Sequence, residues 1–302
     1  MPGFVAALGL PGLVDVHTHF LPPNVQAKVW AHFDRAGPLV GRPWPITYRL
    51  GEAERLAVLR GLGVRAFTAL VYPHRPGMAA WLNDWAADFA RRTPDCLPSA
   101  TFFPELSAVH DVRTALDAGA RVFKVHVQVG GYDPRDPLLD PVWGLCAEAG
   151  VPVVAHVGSG PVPARFTGVG PVRAVLARHP RLVLVVAHLG MPDYADFLAL
   201  AGEFPGVYLD TTMAFTDFVE AQMPFPPALR PRLADLADRV LLGSDFPSIP
   251  YPYAHQLAAL ARLDLGADWL RAVCHDNAAR LFGLRLPGPA GAAAPRVDDQ
   301  VS

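Results

Sequence analysis

Short apolar runs alternate along this chain with longer segments of helical periodicity. The runs are Leu13–Val16, Val64–Val71, Cys96–Phe102, Val122–Val127, Pro152–Val157, Leu182–Ala187, Val207–Asp210 and Val240–Gly243. Several, such as LVLVVA, are apolar at consecutive positions, which marks strands buried on both faces, the habit of parallel sheets. Between the runs, apolar residues recur at helical spacing: Leu56, Leu59 and Leu62 in 52–62, and Trp81, Trp85 and Phe89 in 78–92. Residues 171–179, 192–204 and 253–263 read similarly. ALDAGARVFKVH, CAEAGVPVVAH and LGVRAFTAL share one form, a helix end, a glycine and a strand, with the glycine placed for a left-handed helix cap. Eight such units at a spacing of about 30 residues predict an α/β fold, a (β/α)8 TIM barrel of parallel strands.

Two stretches break the rhythm. Residues 20–50 form a Pro-rich insert after the first strand, predicted to hold one short helix and a loop near the barrel mouth. Residues 285–302 (RLPGPAGAAAPRVDDQVS) have the composition of a disordered tail, which leaves 1–284 as a single barrel domain.

Composition narrows the function classes. A chain of 302 residues that is 51% hydrophobic buries a large core. Lys and Arg number 26 against 28 Asp and Glu, with no block of one sign, so neither nucleic acid nor a membrane surface is an expected partner. The three cysteines, Cys96, Cys146 and Cys274, lie far apart without CxxC spacing, which argues for a reducing compartment and against a disulfide framework. The opening MPGFVAALGLPGLVDVHTH lacks a basic n-region and reads as a lead-in to the first strand rather than a signal peptide. No run approaches the ~20 apolar residues of a membrane span. A soluble, cytoplasmic protein is expected, with a small-molecule substrate as its partner.

The chemistry begins at VDVHTHF, residues 14–20. Side chains at i and i+2 of a strand point the same way, so His17 and His19 would converge on one spot. Two imidazoles aimed at one point suit a metal ion; a pair of satisfied strand-end histidines is the plainer alternative. Other strand ends add weight. His126 follows Lys124 on the fourth strand, His156 ends the fifth (VPVVAHVGSG), His188 ends the sixth (LVLVVAHLG), and Asp245 follows the eighth in VLLGSDFP. Active sites of such barrels sit at the C-terminal strand ends, and three histidines with a carboxylate are a common inventory for a catalytic divalent ion.

HxH on the first strand, His on the fifth and sixth, Asp after the eighth, GSDFP and the later HDNAARLFGL (275–284) together resemble the amidohydrolase superfamily. The closer likeness is to its amidohydrolase-related branch of metal-dependent hydrolases and nonoxidative decarboxylases, and it spans about residue 11 to 284. The resemblance implies that His17, His19, His156 and Asp245 hold one divalent metal ion, zinc first, with manganese or a second ion as variants. It implies that Asp245 also moves the proton of the attacking water. His188 would either bind a second ion or, as in mononuclear members, act as acid/base and electrostatic anchor. Lys124 and His126 share one strand face by the i, i+2 rule and would both point inward. His126 would meet substrate or a second metal, and Lys124 would either bridge a second metal or stand as a buried cation paired with an acid. Arg75 (YPHRPGM) and Arg165 (GPVPARF) are placed to bind a substrate carboxylate. The implied reaction is hydrolysis of an amide, ester or lactone in a small organic molecule, with decarboxylation of an aromatic or enol acid as the alternative. Dimers are common in that family.

The remaining candidates have plainer readings. His32, His110 and His179 read as surface residues, His74 as a solvated loop residue or part of the pocket lining, and His275 as structural. Phe20, Trp30 and Trp44 either wall a pocket or pack the insert onto the barrel. Trp81, Trp85 and Phe89 read as helix packing. Ser159 in HVGSG lacks the flanks of a nucleophile elbow, and its glycines would let the loop pass close to a ligand.

Overall fold

The computed structural model describes residues 2–286. Nine strands carry the sheet: β1 Leu13–Asp15, β2 Val64–Thr68, β3 Cys96–Leu97, β4 Ser99–Thr101, β5 Val122–His126, β6 Val153–His156, β7 Leu184–Val186, β8 Val207–Asp210 and β9 Val240–Leu241. Each lies inside one of the eight predicted runs. The third run is split because Pro98 has no N–H for the ladder; β3 pairs with β2, and β4 pairs with β5. The Ser99 hydroxyl accepts from Ala69 N–H at 3.0 Å and spans the break. All pairings are parallel, in the orders β1-β2-β3 and β4 through β9. Val16 N–H donates to Leu242 carbonyl at 2.9 Å, and Thr18 bridges Phe246 in parallel, so the last strand returns to the first and closes the barrel.

Alternate strand residues fall into different apolar clusters. Val122, Val154, Val185 and Leu241 share one, inside the barrel. Phe123, Ala155, Leu184 and Val240 pack outward with Trp143, Cys146 and Leu176 of the surrounding helices. The inner parity set continues upward from Val122 to Lys124 and His126, and from Val154 to His156. The period of the strand thereby aims these polar side chains at the mouth.

The insert after β1 holds the helix Pro23–Phe33, opened by proline at its first position, and a short turn Gly37–Val40. The chain start forms a short helix, Pro2–Ala7, rather than a plain lead-in. The tail reading of 285–302 lies outside the described residues from 287 onward. Among the described residues, no helix is long and apolar enough to cross a membrane.

Candidate active site

β1 ends at Asp15, so His17 and His19 lie just beyond the strand rather than on it. They converge nonetheless, because the Thr18–Phe246 bridge keeps this segment extended. Asp245 is brought to them by the hydrogen bond from its own N–H to the His17 carbonyl, 2.8 Å. Donor atoms of His17, His19 and Asp245 all lie within 4.8 Å of one another.

The outer ring nitrogens are committed elsewhere, which fixes what the inner ones can do. His19 Nδ1–H donates to the Leu70 carbonyl at 2.8 Å, and His17 Nδ1–H donates to Asp210 Oδ2 at 2.8 Å. Each Nε2 is left unprotonated, with its lone pair facing inward. His19 Nε2 stands 3.0 Å from Asp245 Oδ1, and His17 Nε2 stands 3.5 Å from the same oxygen. Acceptors meeting acceptors at these distances call for a proton or a metal cation between them. Two imidazoles and one carboxylate are a fitting donor set for a divalent ion with open positions.

His156 stands to one side. Its Nε2 donates to the Gly160 carbonyl at 3.1 Å, and its ring stacks on His126 with centroids 3.9 Å apart. The structure thus brings together three of the four expected ligands and holds the fourth beside them, 4.8 Å in ring centroids from His188. His188 is buried, and its Nδ1–H donates to Thr212 carbonyl at 3.2 Å, which leaves its Nε2 free.

Lys124 is fully buried, and its Nζ lies 3.1 Å from His17 Nε2. Burial lowers its pKa to about 8, against the opposing pull of Asp210 and Asp245. Burial likewise lowers His17 and His188 to about 4 and His156 to about 3, so all three rings are neutral at pH 7. Burial alone would raise Asp245, but its close contact with His19 and the nearby His17 and His188 rings hold it well below the usual carboxylate range.

The turns that deliver these groups have unusual backbone. His188 and Leu189 after β7, Met213 and Phe215 after β8, and Asp245 after β9 all have φ between 54° and 68°. Non-glycine residues adopt that region at a cost, and such strain gathers at functional sites. Gly243 of the GSDFP motif is required by close approach: a Cβ there would sit 2.2 Å from Thr212 Oγ1 and 2.9 Å from His17 Cβ.

A cavity of about 1120 Å3 opens above these residues. His17, His19, Lys124, His126, His156, His188 and Asp245 line its floor, and the insert, the 158–164 loop and residues 213–223 supply walls. Arg75 lies on its lining, whereas Arg165 does not; Arg165 is exposed and stacks on Phe166 at 5.0 Å. His32 and His74 are exposed, as expected, and stand on the cavity lining. Trp81, expected as helix packing, lines the cavity instead, Trp44 both lines it and stacks on Phe33, and Phe20 packs between Phe67 and Phe89 away from it. Gly158 and Gly160 lie on the cavity lining, and Gly158 also passes close to the Gly190 and Met191 backbone, 2.6 Å from where its Cβ would stand.

Two residues of the site carry no motif. Asp210, at the end of β8, accepts from His17 Nδ1–H and from the backbone N–H groups of His188 and Thr212. Tyr72 meets both His19 and His126 ring to ring, at 5.6 and 5.0 Å. Asp210 is a strand-end carboxylate, the signal that also marks Asp245; Tyr72 follows an apolar strand with no distinguishing neighbour.

The chain matches no curated protein. Among solved structures it resembles an uncharacterised TIM-barrel protein from Bordetella bronchiseptica, with 20% identity and a TM-score of 0.73 over 90% of this chain and 99% of that one. It also resembles 5-carboxyvanillate decarboxylase from Sphingomonas paucimobilis, with 18% identity and a TM-score of 0.60 over 91% and 99% of the two chains. A probable 2-pyrone-4,6-dicarboxylic acid hydrolase from Acinetobacter baumannii follows, with 12% identity and a TM-score of 0.59 over 90% and 100%. At these identities the likeness is one of fold. The family model Amidohydro_2, described as amidohydrolase, matches residues 14–284, and with the strand-end constellation this makes the chain a member of the amidohydrolase family.

Proposed function

We propose that the protein is a metal-dependent hydrolase of an amide, ester or lactone bond. The observation that carries this reading is the inward convergence of His17 Nε2, His19 Nε2 and Asp245 Oδ1, with both imidazoles anchored from behind. A divalent ion held there, zinc by preference for this donor set, would supply an activated water at neutral pH and polarise a carbonyl. Asp245 is the proton acceptor, since its carboxylate stays ionised and faces the cavity. Neutral His188, with Nε2 free, hydrogen-bonds the developing oxyanion or protonates the leaving group. His156 and His126 wall the substrate, and His156 is the reserve ligand.

Decarboxylation is the second reading. Arg75 on the cavity wall and the fold shared with 5-carboxyvanillate decarboxylase favour it. Product analysis separates the two: carbon dioxide release from an aromatic acid without any hydrolysis would replace the hydrolase reading.

The direct test is metal analysis of protein purified without chelators, followed by His17→Ala and Asp245→Asn on an identified substrate. About one ion per chain and loss of activity in both variants are expected. About two would place a modified Lys124 and His188 in the ligand set. Full activity in either variant, or in protein free of metal, overturns the assignment.

A further inference from the structure

Four of the chain's five methionines, Met78, Met191, Met213 and Met223, line the cavity. Thioether side chains adapt to apolar ligands of varied shape and are favoured on binding surfaces of that kind. The helix Pro23–Phe33 adds two parallel rows at four-residue spacing: Val25, Val29 and Phe33 beside Asn24, Lys28 and His32. Leu39, Trp81 and Val129 are 53%, 38% and 44% exposed, and all three belong to the same cavity wall. They are three of the five large apolar side chains exposed among the described residues. Gathering at one mouth marks a binding surface, since scattered exposed apolar residues would need no explanation.

Charge on the wall is one-sided. Lys28, Arg75 and Lys124 face the cavity against a single carboxylate, Asp245. Lys124 and Asp245 belong to the buried floor. Lys28 and Arg75 are exposed, and among the described residues neither has a carboxylate within 4.0 Å. The volume of about 1120 Å3 lies at the upper end of ligand cavities, well beyond what a short acid or a simple lactone fills.

Resting on the hydrolase reading above, we propose that the substrate is an amphipathic anion. An extended apolar body lies along the methionine and helix wall. A carboxylate at its far end pairs with Lys28 and Arg75. The scissile bond reaches the floor of His17, His19, His188 and Asp245. The depth of the cavity and the reactive groups at its base favour a small molecule over a protein partner on the apolar rim.

Binding tests this without turnover. The full chain is titrated calorimetrically with decanoate, butyrate and decan-1-ol. Decanoate should bind at least about tenfold more tightly than butyrate, in keeping with the apolar area it buries. The double variant Lys28→Ala/Arg75→Ala should weaken decanoate at least about tenfold, the loss of both charge contacts, and leave decan-1-ol within about twofold. Circular dichroism confirms that the double variant is folded. Equal binding of butyrate and decanoate would overturn the proposal. So would undiminished decanoate binding in the double variant, or its loss only in His17→Ala, which would put the carboxylate on the floor. A chain that binds decanoate in the expected pattern and hydrolyses nothing removes the hydrolase reading and keeps the ligand class. A chain that hydrolyses short esters without that pattern does the reverse.

Discussion

Asp210 Oδ2 lies 2.8 Å from His17 Nδ1, while Oδ1 of the same carboxylate accepts the His188 backbone N–H at 2.9 Å. One buried group from β8 thereby fixes the tautomer of His17 and ties down the left-handed turn that carries His188. Burial would raise its pKa, yet the His17 and His188 interactions hold Asp210 far below the carboxylate range. Asp210→Asn keeps the shape and removes the charge. An amide can offer an N–H toward Nδ1, which would move the ring proton to Nε2, where the metal is proposed to bind. Partners of this kind typically contribute 10–100-fold in metal affinity. The expected outcome is a loss of that size in competition with a chelator, in a variant that still folds. Unchanged affinity would mean that the carboxylate does not govern the ring.

Gly243→Ala tests the close approach behind the same ring. The added methyl group meets Thr212 Oγ1 and His17 Cβ, neither of which is the free end of a long chain. Overpacking of this kind costs about 1–3 kcal/mol. Urea titration should show that loss, and the metal content should fall with it, because His17 is the residue displaced. A variant with parental stability and metal content would show that the loop has room to give.

Most of the barrel and much of its floor are legible in the sequence because the strands are continuously apolar and the polar residues stand at their ends. His17, His19, His188 and Asp245 interrupt or close apolar runs, so position alone singles them out. Pairings across the barrel are not legible. Lys124 and His17 are 107 positions apart and meet only because β5 and β1 face each other across the closed sheet. The displacement of His156 depends on the path of the 158–160 loop, which carries Gly160 carbonyl to its ring. The mouth misleads for another reason. Trp81 has the helical spacing of a packing residue, as Phe89 does, but the helix Ala79–Arg91 turns the first toward the cavity and buries the second.

Phe20 separates packing from recognition within the insert. It is fully buried against Phe67, Phe89 and Phe246, with Phe89 at 4.9 Å between centroids, and has no place on the cavity wall. Phe20→Ala should therefore cost about 3–5 kcal/mol in chemical denaturation, the range for a buried aromatic. At a temperature where the variant is folded, KM for any substrate should stay within about twofold of the parent. Trp44→Ala is the counterpart, because Trp44 lines the cavity, and it should raise KM. A KM change in the Phe20 variant alone would place recognition where the structure places only packing.

Acid should unfold the metal-free protein through its buried histidines. His17 and His188 fall from 6.5 to about 4 because burial penalises their charged forms. A folded-state pKa below the unfolded one contributes stability that is present above pH 6.5 and is lost as pH falls toward 4. Each depression corresponds to about 3 kcal/mol. Asp15 works in the opposite sense. Burial lifts it from 3.8 to about 7, against hydrogen bonds from Ser244, His17 N–H and Tyr253. Its contribution is complete below pH 4 and is lost as pH rises through 7. Between pH 6.5 and 4 the two trends oppose, so the parent should lose less stability than its histidines alone dictate. Asp15→Asn removes the opposing trend and should steepen the acid loss by about 3 kcal/mol across that window. Denaturation midpoints of the chelated protein and the variant, measured at half-unit intervals of pH, supply the comparison. Parallel curves would mean that Asp15 titrates in the folded protein as it does in the unfolded chain.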